Sequence, residues 1–567
     1  MRRSWVEQQG PGRLIAWVAA GFFLLGVVAY LALRGPAPPS EVPALTLDPG
    51  AESPLADLGS YSADFTVTDA QARRWFDQAL VLAYGFNHDA AGRAFLKAAE
   101  LDATCAMCWW GAALVLGPHL NAGMDPADYP QAWARIQRAR QLAGAVSDRE
   151  RAYIAALTTR YAPTAPPDRT ELDQAYADAM RSLIARYPRD LDARTLFAES
   201  LMNLHPWDLY DRQGRPREWT HEIVAVLERV LQDHPEHPGA NHLYIHAVEA
   251  STQPERALDA ARRLESLAPD AGHLVHMASH IYLRTGHYHE ATLANLRAID
   301  ADLRYLERCR PEPGLYTRGY IPHNHHFLFA SSLMEGHAQR ALAAADEVAA
   351  RTDLERSRQP GYLGLQHYWA ARYFARVRFG RWGDIMAEPM PDLPYPAALL
   401  RYARGMAQLR QGRLEAARGE LQALRELAAL PEMSEASIWG LHSVPSLLQI
   451  AERILSGEVA AAAGQWAAAI DALEAAVATE SGLAYDEPPA WPIPARHNLG
   501  AVLLESGKFA AAEAVYEADL RQHPENGWAL FGLMQAQRSQ RKPATEIEER
   551  LQYAWRHADV DLTASRF

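Results

Sequence analysis

Cysteine is scarce in this sequence, which has three cysteines among 567 residues. Three thiols are too few for a framework of disulfide bonds, so the fold must rely on its apolar core. Cys105 and Cys108 lie in the segment CAMC, whose spacing also suits a redox pair or a metal clip. We favour a structural pair of small residues, because the segment coincides with the boundary of a helical unit. Trp109 stands where covalent haem attachment requires histidine, which excludes that chemistry.

Long blocks of one charge sign are also absent. The 56 basic and 69 acidic residues are interspersed and give a formal net charge of −13. Nucleic acid is not expected as a partner, because no basic stripe is available to replace the counterions of a phosphate backbone. The sequence lacks GxxxxGK[ST], GxSxG and HExxH motifs, so no nucleotide-binding loop, nucleophile elbow or metalloprotease helix of these kinds is predicted.

The sequence contains no convincing run of the apolar–polar alternation that is typical of strands. From Asp69 onward, segments rich in Ala and Leu recur with helical spacing, and Gly, Asn or Pro separates them. Apolar residues make up 49% of the chain, which is enough to bury a large core. The sequence therefore predicts an all-α fold.

One long apolar run lies near the N-terminus. Residues 14–33 carry no charge over 20 positions, which is long enough for a membrane-spanning helix. Three arginines precede the run, so residues 1–13 are predicted to stay in the cytoplasm while the body is exported. A cleaved signal peptide is the alternative, but its apolar region usually has about 7–15 residues. We expect a single-pass signal anchor in the inner (cytoplasmic) membrane, a linker over residues 34–68, and a body on the periplasmic side.

Histidine is concentrated in the middle of the chain. His242 and His246 are four residues apart, as are His276 and His280, and the second pair follows the first by 34 residues. A spacing of four places both members of a pair on one face of a helix. An offset of 34 is the tetratricopeptide period, so the pairs are predicted to occupy equivalent positions on neighbouring helical hairpins.

Small and aromatic residues recur with the same period, and this pattern resembles the tetratricopeptide repeat (TPR) family. Around Gly286, for example, Tyr282, Ala291 and Ala298 occupy family positions, and Gly336 begins another such count. The resemblance covers most of the chain after residue 69 and implies an α-solenoid, a right-handed superhelix of about nine to eleven hairpins with a concave groove. The predicted divisions are N-terminal repeats (69–204), an inserted loop (205–220), histidine-rich repeats (221–355), C-terminal repeats (356–541) and a C-terminal helix or tail (542–567).

Four segments further resemble one bacterial family of exported TPR proteins. They are NHLYIHAVE from Asn241, HLVHMASH from His273, PHNHHF from Pro322 and DEPPAW from Asp486. The activity of that family is undefined. The resemblance therefore implies an architecture and a candidate site, but no reaction.

The resemblance places most of the central histidines at positions where TPR proteins contact their ligands. Packed helices lie about 8–10 Å apart, so equivalent histidines on adjacent helices could share one ion. Imidazole is a common transition-metal ligand, and the absence of thiolates from the cluster favours Zn, Fe or Cu(II). Glu249 and Glu199 are candidates for a further ligand or a catalytic proton acceptor. The predicted metal ligands are His242, His246, His276, His280, His323 and His326, with His273 and Glu249 peripheral.

A proline-rich segment over residues 485–500, YDEPPAWPIPARHNLG, stands out near the C-terminus. It is either a loop that caps the solenoid or one that folds back across the groove and presents Asp486 or Glu487 to the histidines. Trp491 and His497 are further candidates for groove residues.

Three functions follow from these features. The first is a membrane-anchored scaffold that binds a protein, a peptide or a small ligand in its groove and carries a histidine-lined metal site. The second is a metal-dependent enzyme, hydrolytic or oxidative, that uses this site. The third is a metal-free interaction scaffold, in which the histidines are hydrogen-bonded structural residues or bind an anionic ligand.

Overall fold

A computed structural model describes residues 57–359 and 361–567. These residues form the predicted all-α fold, with one antiparallel pair of two-residue strands, β1 (Ser437–Ile438) and β2 (His442–Ser443). The predicted anchor at residues 14–33 lies outside the described ranges, as do residues 1–13 and most of the linker. Within those ranges, no helix combines the length and the apolar character needed to cross a bilayer.

The α-helices of the described chain follow one another with short connections. Their bounds are α1 Ala70–Tyr84, α2 His88–Leu101, α3 Ala106–Leu114, α4 Tyr129–Leu142, α5 Asp148–Thr158, α6 Thr170–Arg186, α7 Leu191–Leu204, α8 Glu218–Asp233, α9 Pro238–Val248, α10 Leu258–Leu267, α11 Gly272–His276, α12 Ala278–Arg284, α13 Tyr288–Cys309, α14 Ile321–Glu335, α15 Ala338–Arg351, α16 Leu363–Arg378, α17 Trp382–Ala387, α18 Pro394–Arg410, α19 Leu414–Ala428, α20 Pro431–Ser434, α21 Val444–Ala462, α22 Trp466–Ser481, α23 Ala495–Glu505, α24 Phe509–Gln522, α25 Gly527–Ser539 and α26 Thr545–Ala554. Short 3-10 turns occupy Pro126–Asp128, Ala143–Ala145, Pro254–Ala257 and Arg356–Arg358, and a π-helical turn occupies Tyr316–Tyr320.

Consecutive helices pack against each other, so the body is a succession of helical hairpins. When α11 and α12 are counted as one interrupted helix and the short α20 is set aside, the described residues hold twelve such pairs. The prediction of about nine to eleven hairpins was therefore slightly low. Gly286 and Gly336, expected at hairpin turns, have φ angles of +80° and +79°. Only glycine adopts this left-handed region without strain, which explains why these turns are visible in the sequence.

The predicted insertion corresponds to the connection between α7 and α8, although its last residues already belong to α8. This connection is a compact loop that packs beside α9. The His205 and Trp219 rings stack with centroids 3.8 Å apart. The Tyr210 hydroxyl donates a hydrogen bond of 2.8 Å to the carbonyl of Ala247. The loop also brings Trp207 to within 5.7 Å of the His246 ring, measured between centroids.

Cys105 and Cys108 form a disulfide bond at the start of α3, which corrects the prediction of two separate small side chains. Their Cα atoms lie 5.4 Å apart, within the range that a disulfide requires. Both cysteines are buried and so also contribute to the core. Cys309 has a free thiol and is half-buried.

Two large apolar cores occupy the N-terminal and C-terminal parts of the described chain. The first extends as far as Ile321, at the start of α14, and the second includes Leu328, about two helical turns further on. His323 and Phe327 lie on the same helix between these two residues. The histidine-rich helices therefore lie where the two cores meet.

Candidate metal centre

Six imidazole rings form one continuous group in the interior. Two of them project from α9, three from the interrupted helix α11–α12, and one from the start of α14. Neighbouring ring centroids are 4.8–5.7 Å apart, and every ring has at least two of the others as neighbours. His323 contacts two of the three rings of α11–α12, those of His276 and His280. The six rings belong to His242, His246, His273, His276, His280 and His323.

Local sequence features allow these helices to approach closely. Gly239 and Gly272 lie at the starts of α9 and α11, and a Cβ atom at either glycine would collide with the Tyr84 ring or with the Asp302 carboxylate. The helix of the second histidine pair is interrupted at Met277, between His276 and Ala278. The π-helical turn of Tyr316–Tyr320 leads directly into α14, which carries His323 two residues after its first position. Such π turns inside helices are often found at functional sites.

Hydrogen bonds fix the orientation of the two histidines on α9. Nδ1 of His242 lies 2.5 Å from the backbone carbonyl of Tyr84, and Nδ1 of His246 lies 2.7 Å from Oε1 of Glu249. Both partners are acceptors, so each Nδ1 carries the proton and each Nε2 has a lone pair. Among the described residues, neither Nε2 has a hydrogen-bond partner, although both are buried.

The histidines of α11–α12 follow the same pattern. Nδ1 of His276 lies 2.7 Å from Oδ1 of Asn295, and the amide of Asn295 is oriented by donating to the carbonyl of Ala291. Nδ1 of His280 lies 2.6 Å from Oε2 of Glu249. Both Nδ1 atoms therefore carry protons, and the two Nε2 lone pairs face each other across 2.9 Å.

Two lone pairs at this distance repel unless a cation lies between them. Nitrogens that are each about 2.0–2.1 Å from one ion lie about 2.9–3.4 Å apart at angles of about 90–110°. The 2.9 Å separation of the His276 and His280 Nε2 atoms falls within this range. A histidine whose other ring nitrogen donates to a carboxylate or carbonyl is also the usual form of a metal ligand.

Burial favours the neutral form, which binds metals, at five of the six imidazoles. Burial is the largest cause that lowers the pKa of His242, His273, His276 and His323 well below the ordinary value, and neighbouring imidazoles lower it further. Glu249 is fully buried, which by itself would raise its pKa. His280 and His246 outweigh this effect and lower the pKa of Glu249 to about 2, so it is an anion.

Four groups of three residues in the described chain could hold a metal ion, and two of these groups consist of histidines only. Within each group, all the candidate ligand atoms lie within 4.8 Å of one another. The first triad is His242, His246 and His273, and the second triad is His276, His280 and His323. His273, which was predicted to be peripheral, belongs to the first triad. Neither of its ring nitrogens has a hydrogen-bond partner in the described part of the chain.

The other predicted metal-site residues, His326, Glu199 and Glu249, belong to neither triad. The His326 ring packs 4.9 Å from the Tyr368 ring and belongs to neither triad. Glu199 is half-buried on α7 and belongs to no candidate metal group of the described residues. Glu249 can be grouped with His246 and His280, but its two oxygens already accept their Nδ1 protons. It supports the ligands of both triads.

The proline-rich segment folds back to the histidines. The Tyr485 hydroxyl donates to Glu487 and lies 3.3 Å from Oε2 of Glu249. Burial, followed by the negative charge of Glu249, raises the pKa of Glu487 well above its usual range. Asp486 accepts a hydrogen bond of 3.1 Å from His442.

Trp491 and His497 are interior residues of the C-terminal repeats and do not face the histidines. The Trp491 ring packs against Phe374 and Tyr402. His497 accepts from Arg378 and donates to Asp519. Both side chains are almost completely buried.

Several residues of the site could not be expected from the sequence. Asn295 and the carbonyl of Tyr84 orient two histidines, and Phe86 stacks near the first triad. Tyr485 lies far away in the sequence from the carboxylate that it covers. No spacing or motif connects these residues with the histidines, because hydrogen bonds across packed helices leave no periodic signal.

Comparisons with known proteins add little to this description. No protein-family model and no curated protein matches the chain. Among solved structures, it is similar to the Cut9–Hcn1 hetero-tetramer of the APC/C (14% identity, covering 88% of this chain and 78% of that chain, TM-score 0.31). It is also similar to yeast Tom70 (11% identity, 85% and 96%, TM-score 0.30) and to the TPR domain of P58(IPK) (11% identity, 83% and 99%, TM-score 0.21).

Proposed function

We propose that this protein is a helical-repeat scaffold with a transition-metal centre at its six clustered histidines. Zn, Fe and Cu are the metals that suit such a donor set, since imidazole is the only ligand type that the cluster offers. The only disulfide of the described chain lies on α3, outside the cluster, so thiolate ligation is not part of the proposal.

The observation that carries the proposal is the arrangement of protons. Four imidazoles donate their Nδ1 protons outward to oxygen acceptors, and their Nε2 lone pairs are left together in a buried interior. Burying polar atoms without partners costs roughly 1–3 kcal/mol each, and a bound cation removes this cost. A purely structural role gives no reason for the protons to be arranged in this way.

Metal analysis of the purified full-length protein tests the proposal. We expect at least one equivalent of transition metal per chain, and we expect the double variant His276→Ala/His280→Ala to lose half of it or more. His325→Gln is the matched control, because His325 is a buried histidine on α14 that belongs to neither triad. Equal metal content in the wild type and the double variant, or none in either, would contradict the proposal.

A second candidate function is a metal-dependent enzyme, hydrolytic or oxidative. The observation that favours it is the loop over the centre, where Tyr485 and the protonated Glu487 lie beside the ionised Glu249. Groups that hold and release protons next to a metal are what such chemistry needs. His323 is the one ligand that is not fully buried, so reactants would approach from its side. Turnover that disappears in Glu487→Gln while metal is retained would support this function.

Partner binding and membrane attachment are further parts of the proposal. The stacked hairpins support the binding of a protein, a peptide or a small ligand in the groove of the repeats. The apolar run at residues 14–33 supports an inner-membrane anchor with the body in the periplasm. Intact cells should show the full-length chain in the membrane fraction, and external protease should digest its body only after the outer membrane is permeabilised. A body that stays protected after this treatment would contradict export.

A further inference from the structure

The two triads are related by the repeat. Each contains an i,i+4 pair on the first helix of one hairpin and a third histidine near the start of the first helix of the next hairpin. A shift of 34 residues converts His242 and His246 into His276 and His280. The third ligands, His273 and His323, are the second residue of α11 and the third residue of α14. The same local arrangement of three histidines therefore occurs twice in the repeats.

A single ion cannot be bound by both triads at once. Within each triad, the three ligand atoms lie within 4.8 Å of one another, so small rotations of the rings bring all three to one ion. In the described chain, the one candidate group that contains a histidine of each pair, His246 and His280, also includes Glu249, whose oxygens already accept from these two rings. Three histidines with a remaining open position are the ligand set of a metal site that can still take a small molecule.

Glu249 connects the two triads. Its Oε1 accepts from His246, of the first triad, and its Oε2 accepts from His280, of the second. One carboxylate thus orients a ligand on each side, and the two triads lie close enough to share it. The rings of His246 and His280 are 5.4 Å apart, and those of His273 and His276 are 5.6 Å apart.

We propose that the centre binds a pair of copper ions, one in the triad of His242, His246 and His273 and the other in the triad of His276, His280 and His323. This inference rests on the proposed metal-binding function and specifies the number and the kind of ions.

The charge of the site favours copper over other metals. All six ligands are imidazoles, which carry no negative charge, and the carboxylate that contacts them is Glu249. Two divalent cations in such a dry interior would lack balancing charge, and uncompensated buried charge is costly. Copper is stable as the monovalent ion, which is satisfied by three nitrogen ligands. As Cu(II) it also has the highest affinity of the divalent first-row metals for nitrogen sites.

The number of ions per chain tests the proposal. The full-length protein should bind two equivalents of Cu(I) when it is titrated under anaerobic conditions with ascorbate. His242→Gln/His273→Gln and His276→Gln/His323→Gln should each bind one equivalent, and His325→Gln should bind two. Each variant is checked for native helix content by circular dichroism. His323→Gln alone, at the partly exposed ligand, is the milder alternative if a double variant does not fold.

Magnetic coupling tests whether the ions are neighbours. After oxidation to Cu(II) in the presence of azide, which can supply the missing negative charge at the open positions, the wild type should give a weak or strongly broadened electron paramagnetic resonance signal, because the two spins interact. Each one-ion variant should give the sharp signal of an isolated Cu(II). Two well-resolved, independent Cu(II) signals in the wild type would overturn the pairing.

The possible outcomes separate this inference from the broader proposal. One ion per chain that is lost from either double variant would mean a single shared centre, which overturns the pair and leaves the metal-binding function intact. Two equivalents of zinc without copper uptake would overturn the choice of copper. A protein that binds no metal at all would overturn both proposals.

Discussion

Glu249 is the residue on which the centre depends most directly. As an anion it accepts Nδ1 protons from histidines of both triads, and this fixes their Nε2 atoms as acceptors. Carboxylates in this position raise the basicity of the ligand and hold its ring in place. A residue that binds no ion itself can therefore determine whether two ligands are available.

Glu249→Gln should lower metal affinity. Glutamine can accept from one Nδ1–H, but its amide group donates toward the other, so one of the two imidazoles must move its proton to Nε2 and loses its ligand atom. We expect affinity to fall by about 10–100-fold, measured by competition with a chelator of known affinity. Glu458→Gln is the control, because Glu458 is another buried carboxylate but lies among C-terminal residues. Unchanged affinity in Glu249→Gln would show that Glu249 does not support the ligands.

Asp302 should make stability depend on pH. Burial raises its pKa to about 7, and hydrogen bonds from Tyr316 and Asn324 only partly oppose this. The folded state thus binds the proton more tightly than the unfolded chain, whose aspartate pKa is about 3.9. The contribution of Asp302 to the free energy of unfolding is therefore fully present below the pKa of the unfolded chain. This contribution is lost as the pH rises toward the folded pKa of about 7.

Asp302→Asn should remove this dependence, because the amide is neutral at every pH. The free energy of unfolding of the wild type, relative to the variant, should decrease by roughly 1 kcal/mol per pH unit between about pH 4 and 7 and then level off. Denaturant titrations of both proteins across this range measure the difference. A difference that is constant with pH would contradict the raised pKa.

At the scale of elements, the loop of residues 485–494 closes the centre with one side chain. The Tyr485 hydroxyl reaches both Glu487 and Glu249, and the guanidinium of Arg284 lies 5.4 Å from the centre of its ring. Arg284 in turn donates to the backbone carbonyl of Glu249. The loop is therefore tied to the end of α9 at several points.

Tyr485→Phe should loosen this loop without removing a metal ligand. The lost hydrogen bonds to buried carboxylates are worth roughly 1–3 kcal/mol, so the open state of the loop becomes more populated. We expect a chelator to remove metal several-fold faster, while the metal content at equilibrium stays unchanged. Tyr553→Phe provides the control, since Tyr553 is 65% exposed and far along the chain. Equal rates in all three proteins would mean that Tyr485 does not control access.

At the scale of the whole molecule, the C-terminal tail is part of the core. Arg378 is completely buried, stacks on Trp528 and donates to the carbonyls of Ser565 and Arg566. The side chain of Arg566 pairs with Glu458 and Glu505. The tail therefore supplies two further acceptors for a buried cation that also donates to His497 in the repeats.

Removal of residues 563–567 should destabilise the C-terminal hairpins and spare the centre. Loss of the partners of a buried charge costs about 3–5 kcal/mol, and hairpins in a repeat array depend mainly on their neighbours. We expect a lower melting temperature but unchanged metal content per chain, with Asp561→Ala as the control. A truncated protein that loses metal in proportion to its stability would show that the array unfolds as one unit.

The sequence predicted the features that depend on periodicity. The all-α fold, the hairpin turns at Gly286 and Gly336 and the shared face of each histidine pair follow from spacing and turn chemistry. The prediction that six histidines share one ion used register alone. It placed His326 inside and His273 at the edge, whereas the structure brings His273 into a triad and turns His326 toward Tyr368. The π-helical turn that leads into α14 is another feature that no repeat count anticipates.

The ligands come from three consecutive hairpins, which has a consequence for how the molecule comes apart. In the proposed centre, one ion joins α9 to α11 and the other joins α11–α12 to α14. Both add their binding free energy to the middle of a linear array, whose ends receive none of it directly. In the loaded protein, amide hydrogens between residues 238 and 335 should exchange most slowly, and fraying should begin at the two ends. Bound metal would then stabilise the middle of the chain most strongly. Its removal would lower the exchange protection of this segment to that of the neighbouring hairpins.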